Sequence, residues 1–134
     1  PMIIKAKQGG ILNVASTAAF CSGPKMAAYY GSKAYVLNLT EAIHEEVKKD
    51  GIKVSCLCPG PVKTSFQAKA GIEKSEGAKK YLMEAEDVAK EGYKGFKKGK
   101  AIIVPGIKNK LLVNINKFAP RSIVRKIVLK TNEK

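Results

Sequence analysis

Gly10-Ile11-Leu12-Asn13-Val14-Ala15-Ser16 and, some forty residues on, Ile52-Lys53-Val54-Ser55-Cys56-Leu57-Cys58 are the stretches whose reading decides the fold. Each is a short apolar run bounded by turn residues, the pattern of a strand buried in a parallel sheet. Gly9-Gly10 breaks whatever precedes the first, and Pro59-Gly60-Pro61 closes the second, since that triplet continues neither a strand nor a helix. Between them, residues 17–26 are small or turn-forming and read as a loop. From about Ala27 to Asp50, Val36, Leu39, Ile43 and Val47 recur at helical steps, with Glu41, His44, Glu45 and Lys48 on the opposite side and Gly51 as a natural stop. Strand, long helix, strand is the signature of a parallel α/β sheet.

Outward from this core the unit repeats once. Residues 64–83 are polar and weakly periodic, consistent with a short helix and a loop. Ala85, Val88, Ala89, Tyr93 and Phe96 then line one face of a helix ended by Gly99, and Ala101-Ile102-Ile103-Val104 makes a third strand before Pro105-Gly106. Two further helical patterns follow, Leu111, Leu112, Ile115 and Phe118, then Ile123, Val124, Ile127 and Val128, separated by Pro120. The predicted fold class is α/β: three parallel strands, two crossover helices and a helical C-terminal tail, equivalent to the C-terminal half of a doubly wound Rossmann-like sheet. Residues 1–134 are thus read as a single partial domain, whose start at Pro1-Met2 reads as an interruption.

Composition narrows the function classes. The chain has 134 residues, 45% of them hydrophobic, which suffices for one core. No run approaches the roughly 18 consecutive apolar residues of a membrane-spanning helix, and no secretory signal is visible. Cys21, Cys56 and Cys58 are an odd number in a lysine-rich chain, which suits a reducing, cytoplasmic setting. The formal charge of +14 is carried mostly by lysines scattered through amphipathic segments, the pattern of a solvated surface rather than of nucleic-acid binding. From Lys100 onward nine Lys or Arg face one acidic residue, Glu133. A non-catalytic reading follows: residues 107–134 as a basic amphipathic tail on an anionic membrane surface or a partner protein. Packing of those helices on their own sheet explains the same apolar positions and is preferred.

The stretch richest in chemistry is Tyr29-Tyr30-Gly31-Ser32-Lys33. Residues Tyr29 and Lys33, at i and i+4, point the same way on a helix. A phenol loses its proton near pH 10 in water, and an ammonium held beside it favours the phenolate. Such a pair serves as acid or base, although Tyr30, at i−3 from Lys33, is also within helical reach. Ser16 closes the first strand, at the edge where parallel sheets place ligands, and is positioned to hydrogen-bond an oxygen shared with Tyr29.

Other constellations are weaker. Gly95-Phe96-Lys97-Lys98-Gly99-Lys100-Ala101 has three residues between its glycines and alanine after the lysine, so it fails the spacing of a phosphate loop. Cys56 and Cys58 share one face of a strand, but structural zinc takes four ligands and His44 is the only histidine, so no metal site is predicted and two buried small hydrophobes are preferred. His44, among Glu41, Glu45 and Lys48, reads as solvated, and no G-x-S-x-G elbow surrounds Ser16.

Taken together, Gly10 to Ser16, then Tyr29, Lys33 and Ala34-Tyr35, then Cys58-Pro59-Gly60-Pro61-Val62-Lys63-Thr64 resemble the short-chain dehydrogenase/reductase family, bacterial reductases in particular. The resemblance runs over nearly the whole chain and is most specific over residues 9–66. It implies an oxidoreductase that uses NAD or NADP to move a hydride to or from a small-molecule carbonyl or alcohol, usually as a homo-oligomer. It gives Tyr29, not Tyr30, the role of acid or base, and Lys33 that of favouring the phenolate and bonding the nicotinamide ribose. Ser16, thirteen positions before Tyr29, binds the reacting oxygen. Pro59, Gly60, Val62 and Thr64 hold the nicotinamide carboxamide, through backbone groups near Val62 and the Thr64 hydroxyl, and Phe66 with the loop behind it covers the substrate. Tyr30 becomes a packing or pocket-wall residue. The family's glycine-rich T-G-x-x-x-G-x-G turn, the residue that chooses NAD or NADP and the relay asparagine have no counterpart here. The isolated chain is therefore expected to be inactive, and the free edge of the first strand is expected to promote self-association, swapping or poor stability.

Overall fold

The computed structural model describes residues 2–6, 9–64 and 79–133. The chain runs α1 (Met2–Ala6), β1 (Gly10–Val14), α2 (Ala27–Val47), β2 (Lys53–Leu57), β3 (Val62–Lys63), β4 (Met83–Glu84), α3 (Ala85–Lys97), β5 (Ile102–Ile103), α4 (Ile107–Phe118) and α5 (Arg121–Asn132). Single turns of 3-10 helix lie at Thr17–Phe20 and Lys48–Asp50. The principal sheet has the order β1-β2-β5 and is parallel throughout. Gly10 to Val14 pair in register with Lys53 to Leu57, while Cys56 and Leu57 pair with Ile102 and Ile103. This is the α/β, Rossmann-like architecture the sequence predicts.

Helices cover both faces of this sheet, because successive residues of a strand point to opposite sides. Cys56 and Cys58, both fully buried, pack with Ala15, Ala19 and Leu37 of α2 on one face. Leu57 packs with Val88 of α3 and Ile103 on the other. The two thiols are core groups, as expected: Cys58 Sγ donates to Cys56 Sγ at 3.7 Å. That bond, followed by burial, pushes the Cys58 thiol far above the ordinary range.

Helix α2 has the predicted start and ends one turn earlier than its pattern, with residues 48–50 tightened into 3-10 helix and Gly51 closing it at φ 75°. Its buried face differs from the predicted one. Leu37 and Thr40 are inside, whereas Leu39 is 41% exposed. Hydrogen bonds explain the rotation. Thr40 Oγ1 donates to Val36 O at 2.6 Å and accepts from Asn13 Nδ2 of β1 at 3.0 Å, so its hydroxyl is satisfied at zero exposure. His44, read from sequence as solvated, instead meets Val54 O at 2.7 Å through Nδ1 and ties the helix to the central strand.

Helix α3 departs in the same way. Its buried residues are Val88, Gly92 and Gly95, with Tyr93 61% exposed. The glycines matter because the helix lies directly on the sheet. A Cβ at Gly92 would stand 2.9 Å from a Leu57 methyl and one at Gly95 would stand 2.7 Å from Ile103 Cγ1. A periodicity search for apolar side chains does not register residues that pack by having none.

A second, two-strand sheet pairs β3 with β4 in parallel, Val62 with Met83 and Lys63 with Glu84. The sequence reading placed a helix and loop over residues 64–83; residues 83–84 instead carry a strand, and residues 65–78, including Phe66, lie outside the described residues. The two C-terminal helices form as predicted. Asn132 Nδ2 bonds Pro24 O at 2.8 Å, which returns the end of α5 to the start of α2. The tail does not, however, turn its whole apolar pattern inward: α4 buries Asn109 and Val113, and α5 buries Val124.

The close approach at α3 makes a signed prediction. Alanine in a helix interior ordinarily stabilises relative to glycine by up to about 1 kcal/mol. Gly95→Ala is expected to reverse that sign, costing about 1–3 kcal/mol through collision with Ile103. Urea unfolding monitored by far-ultraviolet circular dichroism would detect it as a lower midpoint; an unchanged or higher midpoint would refute the close packing.

Candidate active site

The predicted site residues gather at the carboxyl ends of β1 and β2. Beyond the paired strands, Ala15 N donates to Leu57 O at 2.8 Å and Thr17 N to Pro59 O at 2.9 Å. Ser16 is held between these two anchors, in extended backbone at φ −170° and ψ 163°. Its Oγ accepts from Ala18 N at 3.1 Å and so caps the 3-10 turn. A hydroxyl used in this way as an acceptor still has its proton to donate. Ser16 is thus oriented by the fold with a donor to spare.

Tyr29 lies in the first turn of α2 and is 44% exposed. Lys33, one turn on, places its ammonium 5.7 Å from the centre of the Tyr29 ring. The same ammonium donates to Val14 O at 3.4 Å, two residues before Ser16. One lysine therefore joins the phenol-bearing helix to the end of β1. Tyr30 does not share this pairing with Lys33; its ring meets the Tyr29 ring edge-on, centroids 6.0 Å apart.

Pro59, Gly60 and Val62 follow β2 at the same end of the sheet. The Pro59 carbonyl is engaged by Thr17, and Val62 is paired in β3. Thr64 is exposed just beyond that strand. Gly60 packs against Asn109 of α4, where a Cβ would collide with the side-chain amide. Asn109 is 1% exposed; its Nδ2 bonds Pro105 O at 3.1 Å, while its Oδ1 has no hydrogen-bond partner among the described residues. Sequence reasoning missed Asn109, since an asparagine in an amphipathic helix reads as solvent-facing.

Beside this end of the sheet is an open apolar cavity of about 400 Å³, bordered by Thr17, Ala18, Cys21, Tyr30, Pro61 and the two C-terminal helices. Tyr30 is thus a wall residue, as the family resemblance implies. Burial, with the neighbouring Cys21 second, raises its phenol above the usual range. Burial likewise raises the Cys21 thiol.

Comparison with known proteins agrees with this fold. The family model of the short chain dehydrogenases matches residues 1–75, more than half of the chain. A (+)-borneol dehydrogenase of Salvia officinalis is 42% identical over 65 residues, 48% of this chain and 23% of that protein. Among solved structures, a 7beta-hydroxysteroid dehydrogenase superposes with a TM-score of 0.81 at 21% identity, over 95% of this chain and 50% of the other. A short chain dehydrogenase from Burkholderia cenocepacia, in complex with NADP, gives 0.72 at 21% identity, over 94% and 49%. The chain belongs to the short-chain dehydrogenase family, a family of oxidoreductases. It spans half or less of the length of each of these proteins.

The raised Cys21 thiol sets a pH dependence. At pH 8 less of it is thiolate than in a free cysteine, so alkylation by iodoacetamide should be slower and its rate should climb through a midpoint above that of the free amino acid. Cys56 and Cys58, at zero exposure, should react only after denaturation. Mass spectrometry of timed quenches reads both; a Cys21 midpoint at or below the free value would contradict the burial described.

Proposed function

We propose that this chain carries the catalytic half of an NAD(P)-dependent oxidoreductase that interconverts a small-molecule carbonyl and the corresponding alcohol. The reading rests on one observation above the rest: Lys33 is fixed by Val14 O at the end of β1 while its charge faces the Tyr29 ring. Ser16, Tyr29 and Lys33 are the proposed catalytic residues, and Tyr29 and Lys33 with Pro59, Gly60, Val62 and Thr64 the proposed contacts to a nicotinamide cofactor, NAD or NADP.

The donor set fits such a group. An ammonium has three N–H bonds and Lys33 directs one to Val14, which suits the others to ribose hydroxyls. Thr64 offers an exposed hydroxyl at the sheet edge where open α/β folds bind nucleotides. The Burkholderia relative in complex with NADP has the same fold. When bound, the cofactor carries the hydride that passes to or from the reacting carbon.

In the reduction direction the Ser16 hydroxyl donates to the carbonyl oxygen and holds it beside Tyr29. The Tyr29 Oη gives its proton to that oxygen as the carbon receives hydride, and Lys33 stabilises the phenolate left behind. The reverse sequence returns the proton to Tyr29. The apolar cavity beside Thr17, Ala18 and Pro61 suits a substrate with a hydrocarbon body. Activity is proposed for the protein that also supplies a glycine-rich dinucleotide turn; this chain alone is proposed to be inactive. A homo-oligomer is also proposed, supported by the unpaired edge of β1 among the described residues and by exposed Ile11, Val14, Tyr35 and Leu39.

The decisive test joins a relative's dinucleotide-binding half to this chain and follows nicotinamide absorbance. Tyr29→Phe should lower kcat by about 10²–10⁴ while leaving cofactor affinity nearly unchanged; turnover retained in that variant would remove Tyr29 from the mechanism. For assembly, sedimentation velocity of the chain should show a sedimentation coefficient that rises with concentration. A monomer at every concentration, melting cooperatively, would count against the homo-oligomer.

A further inference from the structure

Helix α4 is apolar on the wrong side for a helix that only packs on its own domain. Its buried residues are Asn109 and Val113. At about 100° per residue, Ile107, Leu111 and Phe118 fall within about 40° of one another on the opposite face. They are 75%, 57% and 89% exposed. On α5, Ile123 and Ile127 share a face one turn apart and are also more than half exposed. Ile107, Leu111 and Phe118 of α4 are therefore presented outward, beyond what burial against the sheet requires, whereas Ile123 and Ile127 of α5 border the apolar cavity.

The charges around them have one sign. Lys108, Lys110, Lys117, Arg121, Arg125, Lys126 and Lys130 are all exposed, and residues 107–132 contain no Asp or Glu. Among the described residues one of the seven, Lys110, has a carboxylate neighbour, Glu91 at 3.8 Å. Solvent-facing large hydrophobics flanked by lysine and arginine define a helix that lies in a membrane interface, its apolar side chains in the headgroup and acyl boundary and its cations against anionic lipid. A second copy of the chain is a poor occupant, because it would set seven basic residues against seven with no acidic group in either segment to offset them.

We propose that α4, with the basic residues of α4 and α5, forms a peripheral docking surface for an anionic phospholipid bilayer, entered by Ile107, Leu111 and Phe118 and held by the surrounding lysines and arginines. No helix among the described residues is long and apolar enough to cross a membrane, so the contact is one of lying on the surface. It requires nothing of the catalytic residues.

The test is co-sedimentation of the chain with vesicles of phosphatidylcholine containing phosphatidylserine, against phosphatidylcholine alone. The chain should pellet with the anionic vesicles only, and raising ionic strength from about 0.1 M to about 0.5 M should release most of it. The double variant Leu111→Ser, Phe118→Ser alters exposed positions and should keep the circular dichroism spectrum, yet lower the bound fraction by about tenfold. Failure to pellet, or pelleting unaffected by that variant, would overturn the proposal, the latter leaving only non-specific charge adhesion. Self-association that the same variant abolishes, without vesicle binding, would assign the face to a second copy and likewise overturn it.

Discussion

Two hydrogen bonds beyond the paired strands, Ala15 N to Leu57 O and Thr17 N to Pro59 O, hold together everything that follows. They extend the coupling of β1 and β2 past their last paired residues, so the segment leaving β1 and the turn leaving β2 are registered to each other at their divergence. Ser16 lies on the first and Gly60 on the second. Because parallel strands send their connections off at the same end, the start of α2 returns to this edge and brings Tyr29 and Lys33 with it. The proposed site is thus a product of connectivity, anchored by these two backbone hydrogen bonds.

That origin explains which parts were legible in the sequence. The strands, the long helix, the Gly51 and Gly99 stops and the tail helices rest on local signals: apolar runs, helical spacing and glycines at positive φ, here 75° and 69°. The proposed site residues were named from their offsets to those elements together with the family resemblance, which alone chose Tyr29 over Tyr30. The buried face of α2 was not, since it is set by Thr40 and His44, polar residues that become interior only when Asn13 and the Val54 carbonyl meet them. Nor was the inner face of α3, where glycines replace side chains, or Asn109, whose burial depends on the glycine opposite. In each case the deciding partner lies far away in sequence.

Charge contributes little to holding the fold, despite its abundance. The described ion pairs, Lys25 with Glu133, Lys48 with Glu45, Lys63 with Glu84, Lys90 with Glu86 and Lys110 with Glu91, are all between exposed side chains. Such pairs contribute about 0–1 kcal/mol each and are screened by salt. The core is apolar, with Thr40, Ser55 and Asn109 as its buried polar residues among those described and no charged group, so most of the lysines act outward. That freedom is what separates the charge of α4 and α5 from the single charge, that of Lys33, in the proposed site.

Two lysines make the distinction concrete. Lys53 Nζ donates to Lys97 O at 2.8 Å, at the C-terminal end of α3, where a cation meets the negative end of the helix dipole. Lys33 Nζ donates to Val14 O at 3.4 Å. Both ammonium groups bond a backbone carbonyl and both tie a strand to a helix. Lys53 sits at the amino end of β2, with no phenol paired to it, and its interaction ends in stability. Lys33 sits at the carboxyl end of the sheet, where the same kind of bond leaves its charge over the Tyr29 ring. Residue type and interaction are alike; the end of the sheet at which they occur makes one a brace and the other a member of the proposed site.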